Sequence, residues 1–170
     1  MGKVIKFRIG KDEIQRKRNN MREFIKLVLY LVNNCSKEIY RTKLNKLLFY
    51  TQFLYYKENR EKLIEDNFYY DYFGPVLKDL DEKLEKLEEA DIISLSNDDY
   101  GTIIQAQTSI DNKLYTKKER EILDKVIKKF DNWSSKKVSN YSHEEEFWEN
   151  YEKGEIIDIS NALTLRNVDN

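Results

Sequence analysis

The sequence predicts a mainly helical α+β domain, a compact bundle of five or six helices with a small antiparallel β-hairpin. Three observations predict it. Gly and Pro are scarce, 5 and 1 in 170 residues, while 36% of the side chains are charged, a balance that favours long helices with solvated faces. Apolar residues recur at helical spacing in four separate stretches. One turn-rich stretch, Asn97-Asp98-Asp99-Tyr100-Gly101, lies between Ile92–Leu95 and Thr102–Ile104, the pattern of a hairpin. The length suits one domain with a sizeable core.

The elements follow in chain order. Val4–Ile9 alternates partly and reads as a short strand stopped by Gly10. Phe24, Leu27, Val28, Leu31 and Val32 form one stripe of a helix from about Met21 to Asn33, with Asn20 as cap and Glu23 three residues on. A second helix runs from about Thr42 to Asn59. Leu44, Leu47, Leu48 and Leu54 or Tyr55 line one face, and Phe49, Tyr50, Phe53 and Tyr56 widen it until little of the first three turns is polar. Such a helix belongs at the centre of a core.

Phe68–Phe73 is a dense aromatic run, read as a short strand that ends at Gly74-Pro75. Pro75 is placed as the first residue of a helix to about Ala90, with Val76, Leu77, Leu80, Leu84 and Leu87 inward. Asp79–Lys83 and Glu82–Lys86 are i,i+4 pairs along it. Thr116 with Glu119 makes a capping box for a helix to about Phe130, with Ile122, Leu123, Val126, Ile127 and Phe130 inward. Ser134 or Ser135 caps a short helix to about Asn140. Ser142 with Glu145 repeats the capping-box pattern and opens a helix through Phe147, Trp148 and Tyr151 that Gly154 ends. Ile156–Ile159 reads as a last short element. The organisation expected is a basic arm over 1–20, a domain over 21–160 and a flexible tail over 161–170 with little to bury.

Charge is uneven along the chain. The formal net charge is −1, so no global field draws the protein to nucleic acid or an anionic membrane. Residues 1–22 nevertheless carry eight basic and two acidic side chains, and residues 141–170 the reverse. Both are read first as solvated ends, second as contact surfaces for partners of opposite charge. No apolar run reaches the roughly 20 residues of a membrane span. The single Cys35 excludes a disulfide framework and fits a reducing, cytoplasmic setting.

The chemistry-bearing inventory is thin. Any Ser-His or Cys-His device must use His143, the lone histidine. Placed at the first position of a helix, it is expected as a neutral, structural imidazole rather than a catalyst. Its acidic neighbours Glu144 and Glu146 point apart on a helix and chelate poorly, so no metal is expected. Neither a P-loop nor a dinucleotide-binding glycine motif occurs. No catalytic residue and no cofactor are assigned.

Three segments, in order, resemble a known family: Leu44-Asn45-Lys46-Leu47-Leu48-Phe49-Tyr50, then Tyr72-Phe73-Gly74-Pro75-Val76, then Ser142-His143 with Trp148 five residues on. The chain resembles the Panacea, or SocA-like, antitoxin domain over about Met21 to Ile159, without a helix-turn-helix pattern in its N-terminal arm. The resemblance implies a non-enzymatic antitoxin, common in phages and prophages, that binds and neutralises a toxin encoded beside it. It also implies, as a possible further partner, a AAA+ protease to which a member presents its toxin. It marks Leu44, Asn45, Lys46, Leu47, Leu48, Gly74, Pro75, Val76, His143 and Trp148 as motif residues, read here as structural.

The residues themselves favour binding. Aromatic side chains make up 13% of the chain, with 12 Tyr, a residue enriched at interfaces for its rigid apolar body and polar tip. The candidate partner-binding rings are Tyr55, Tyr56, Phe68, Tyr69 and Tyr72. In an extended segment Phe68, Tyr70 and Tyr72 face one side and Tyr69 and Phe73 the other, so one set approaches the surface. Alternatives are a phage-encoded inhibitor of a host defence protein, a winged-helix-like DNA-binding regulator, and a hydrolase around His143. Against DNA, no helix carries a base-reading Arg/Lys/Asn/Gln cluster, and the segment after Ser142 is acidic.

Overall fold

The most apolar stretch of the sequence forms the axis of the computed structural model, which describes the backbone of residues 2–168 and the side chains of residues 11–168. Helix α2 (Arg41–Asn59) is buried without a break from Lys43 to Tyr55. It packs against α1 (Gly2–Asn34), α4 (Lys117–Phe130) and α5 (Ser135–His143). Phe49 lies at the centre, its ring centroid 4.3 Å from Phe53, 5.7 Å from Phe68 and 6.1 Å from Trp148. Leu47, Leu48, Leu84, Val126 and Trp148 are all buried, as the helical stripes require.

A helix buried on every side has no room for idle polar groups, because an unpaired buried donor or acceptor costs about 1–3 kcal/mol. The polar residues of α2 instead pin backbone that is not itself helical. Lys43 Nζ donates to the carbonyls of Asp131 and Trp133, at 2.9 and 2.8 Å. Asn45 Oδ1 accepts from Leu77 N–H at 2.9 Å, and Lys46 Nζ donates to the Pro75 carbonyl at 3.0 Å. Gln52 donates to the Ile64 carbonyl and accepts from the N–H groups of Leu63 and Ile64.

Two small antiparallel sheets flank the helices. The expected hairpin is β4 (Ile93–Asp98) and β5 (Gly101–Ala106), turning at Asp99-Tyr100. The two-residue β1 (Ile39–Tyr40) adds to its β5 edge. The second sheet pairs β2 (Phe68–Asp71) with β3 (Gly74–Leu77). Among the described residues the architecture is the mainly helical α+β bundle expected, with α1 to α5 and three 3-10 helices.

Several local readings are corrected. Val4–Ile9 belongs to α1, not to a strand. Extending a formed helix costs far less than nucleating one, and a single Gly10 costs only about 1 kcal/mol. Asn20 is therefore inside α1 rather than its cap; it bonds Asp66 and the N–H of Glu65. Pro75 opens no helix. Gly74-Pro75-Val76-Leu77 is strand β3, and α3 (Leu80–Glu89) starts after Asp79. Lys83 pairs with Asp66 at 2.9 Å.

The Thr116–Glu119 capping box forms in full and Ser134 caps α5. The Ser142–Glu145 box does not. Ser142 and His143 end α5, and Glu146–Asn150 is a 3-10 helix. His143 thus lies at the C-terminal end of a helix, so the dipole argument for a neutral imidazole lapses. The stretch 161–168 is no loose tail either: Ala162, Leu165 and Val168 are buried, and residues 169–170 lie outside the described residues.

Candidate partner-binding site

The three motif segments meet at one buried seam. A β-carbon on Gly74 would lie 2.5 Å from Ser142 Oγ and 3.1 Å from Lys46 Cε, so residues from all three segments approach within a methyl group of each other. Gly74 has φ +101, a backbone region that side-chain-bearing residues rarely occupy. Lys46 is buried, and its amine is pushed down to about 8 by desolvation, with nearby Asp71 acting in the opposite sense. Ser142 Oγ donates to the Ser139 carbonyl at 2.7 Å, and Trp148 Nε1 donates to the Ser142 carbonyl. The Trp148 ring is stacked on Tyr70 at 5.1 Å. His143 is half-buried, edge-on to Tyr70 at 6.5 Å.

A second buried group braces this seam. Glu145 accepts from Tyr50 OH at 3.0 Å and from Arg166 Nε at 3.0 Å and its backbone N–H at 3.2 Å. The Tyr50 hydroxyl is raised well above the ordinary tyrosine value, first by burial and then by this carboxylate. The arrangement is a set of satisfied polar contacts, which is structural chemistry. Among the described residues no group of three or more His, Cys, Asp or Glu is placed to hold a metal ion. Cys35, just past α1, has its thiol raised to about 11 by burial and the neighbouring Asp131 carboxylate, which disfavours the nucleophilic thiolate.

What the seam holds in position is the tip of the β2–β3 hairpin. Asp71 pairs with Gly74, so Tyr72 and Phe73 form the two-residue turn and are 67% and 72% exposed. Lys153 Nζ sits 4.5 Å from the Tyr72 ring centroid, over its face. The five expected partner-binding rings therefore separate. Tyr55 and Phe68 are core residues, 6% and 2% exposed. They are buried because α2 is enclosed from Lys43 to Tyr55 and because the β2–β3 sheet lays its Phe68 side on Phe49 and Phe53. Tyr56 and Tyr69 are half-buried, and only Tyr72 of the five stands clear.

Phe73 was not among the five, although the same aromatic run contains it. A two-residue turn breaks the alternation of facing, so both of its rings emerge together. Beside the tip a cleft of ≈470 Å³ lies between α2 and α3, with Lys46, Asp71 and Phe73 on its wall.

Among the described residues no helix is long and apolar enough to cross a membrane. Comparison with curated proteins and with solved structures yields no match. The sequence model of one family does match, over residues 44–149: antitoxin SocA-like, Panacea domain. That span begins at Leu44, on the helix that organises the core, and ends one residue past Trp148, so it encloses the whole seam. The chain belongs to the SocA-like, Panacea domain family of antitoxins.

Proposed function

We propose that this protein neutralises a cognate toxin by direct, non-covalent binding, with Tyr72 and Phe73 as the principal contacts. The family supplies an antitoxin role in general and a toxin as partner. The observation that carries the finer reading is two adjacent aromatic rings, 67% and 72% exposed, on a turn tied to the core at both ends. Exposed rings of this kind are unfavourable in water and are the usual energetic centre of an interface. A turn held by Asn45, Lys46 and Gly74 loses little freedom on binding, which raises affinity for a given contact area.

The test is growth rescue on co-expression with the toxin encoded beside the gene, paired with a pull-down. Tyr72→Ala and Phe73→Ala should each weaken the complex more than about tenfold, equivalent to at least ~1.4 kcal/mol. Melting temperature should stay within about 2 °C of wild type, since neither ring is in the core. His143→Gln should still rescue growth. Rescue with no physical complex would reject the binding reading and point to repression of the toxin gene or reversal of the toxin's chemistry.

A further inference from the structure

A cleft of ≈710 Å³ lies between the segment that follows α1, the β4–β5 turn and the start of α5, and none of the motif residues or of the Tyr72–Phe73 tip lines it. Its walls are aromatic. Tyr100, at the hairpin turn, is 88% exposed, and Trp133 is half-buried between α4 and α5. Its rim is basic. Lys37, after α1, and Lys136, in α5, are both exposed, and the buried Lys43 also lines it. Trp133, Ser134 and Lys136 also line a smaller hollow of ≈310 Å³ that continues the groove, where Lys137 Nζ stands 4.1 Å from the Trp133 ring centroid. Lys37, Lys136 and Lys137 thus border the groove together with two carboxylates, Glu38 and Glu144, while Lys43 Nζ is held by the Asp131 and Trp133 carbonyls.

One wall of this groove is tied to the core by several contacts. The Trp133 carbonyl accepts from Lys43 Nζ at 2.8 Å. The Trp133 ring meets Phe130 edge-on at 5.2 Å and Tyr141 at 5.3 Å. Ser134 caps α5 by accepting from Lys137 N–H at 3.1 Å. An indole fixed this way is a preformed stacking surface between cations.

We propose that this cleft docks a short acidic segment of the partner protein, with an aromatic or aliphatic side chain seated on Trp133 and Tyr100 and carboxylates reaching Lys37, Lys136 and Lys137. The argument for this occupant is charge complementarity combined with an apolar floor of pocket size. A polyphosphate backbone is a poorer fit, because its uniform negative charge would meet Glu38 and Glu144, whereas a peptide can space its acids to avoid them. The identification of the partner as the toxin rests on the antitoxin reading; the cleft's preference for acidic segments does not.

The experiment uses the full chain, immobilised, against a random peptide library displayed on phage, with an oligo-dT strand as a second probe. The variants are Lys37→Glu with Lys136→Glu, both exposed, and separately Trp133→Ala. The expected result is enrichment of acidic peptides that carry an aromatic or aliphatic residue. Their affinity should fall more than about tenfold in the double variant at unchanged melting temperature, and weaken with added salt. No enrichment, enrichment of neutral or basic peptides, equal binding by the double variant, or displacement of bound peptide by oligo-dT would each overturn the proposal. A toxin that binds wild type and double variant equally would overturn the cleft's role and leave the antitoxin reading standing. A toxin that binds neither would overturn the antitoxin reading, while the peptide selection still decides the cleft.

Discussion

At the scale of single residues, one Gly decides whether three distant segments can meet. Gly74 combines φ +101 with a neighbourhood where an added methyl would lie 2.5 Å from Ser142 Oγ. Gly74→Ala should therefore cost about 2–3 kcal/mol, from backbone strain together with displacement of Ser142. Adding Ser142→Gly should return part of that loss but not the share due to φ. Urea unfolding of the two variants checks this, and a Gly74→Ala protein as stable as wild type would contradict the geometry. The motif residue Asn45 follows the same logic. Its Oδ1 satisfies the Leu77 N–H of a strand that belongs to another element, so its role is invisible in the local pattern of α2.

At the scale of elements, the two capping-box patterns make an instructive pair. Thr116-x-x-Glu119 forms because both of its bonds are local, and Glu119 Oε2 keeps its bond to the Thr116 N–H while also accepting from Lys26 Nζ at 3.1 Å. Ser142-x-x-Glu145 has equally suitable side chains, but the Ser142 hydroxyl turns back to the Ser139 carbonyl and Glu145 is taken by Tyr50 and Arg166. The same carboxylate explains why the stretch beyond residue 160 is held down. Arg166 bonds Glu145 and Glu144, and its guanidinium lies 3.8 Å from the Tyr141 ring centroid. Arg166→Ala should destabilise by about 2 kcal/mol, reduced from the range for buried pairs because the arginine side chain is 34% exposed. A double-mutant cycle with Glu145→Gln should show most of that energy as coupling; additive losses would mean the pair contributes little.

At the scale of the whole molecule, buried hydroxyls set the response to alkali. Tyr30 and Tyr115 are each raised to about 12, chiefly by burial, and Tyr50 is raised further. A group with a raised folded value contributes stability that is complete below its unfolded value, near pH 10, and is lost as pH rises through the folded one. Cys35 acts in the same direction between about 9 and 11. Lys46 opposes them: its folded value is near 8 against 10.5 unfolded, so stability rises across that window, where the folded amine has lost its proton and the unfolded chain still holds it. Urea midpoints should hold or rise slightly from about pH 8 to 9 and then fall steeply above about pH 10. Tyr50→Phe should flatten the alkaline fall, and Lys46→Met should remove the rise; a midpoint independent of pH above 10 would contradict the burial of these tyrosines.

The sequence by itself determined the class of the molecule, the central helix, the β4–β5 hairpin and the two locally capped helices α4 and α5. Each of these rests on interactions within a few residues of chain: a 3.6-residue stripe, a two-residue turn, a side chain reaching the third N–H. It also named Tyr72, Tyr55 and Phe68 together as candidate partner-binding rings, and of these Tyr72 is exposed while Tyr55 and Phe68 are core. Only the tertiary structure decided which rings emerge, that Gly74–Leu77 is a strand, and that Ser142 ends a helix instead of beginning one. The physical reason is the same in all three cases. The partners that settle these positions, α2's Asn45 and Lys46, the phenol of Tyr50 and the guanidinium of Arg166, lie 21 to 95 residues away in the chain, and a local pattern carries no information about a bond that closes so large a loop.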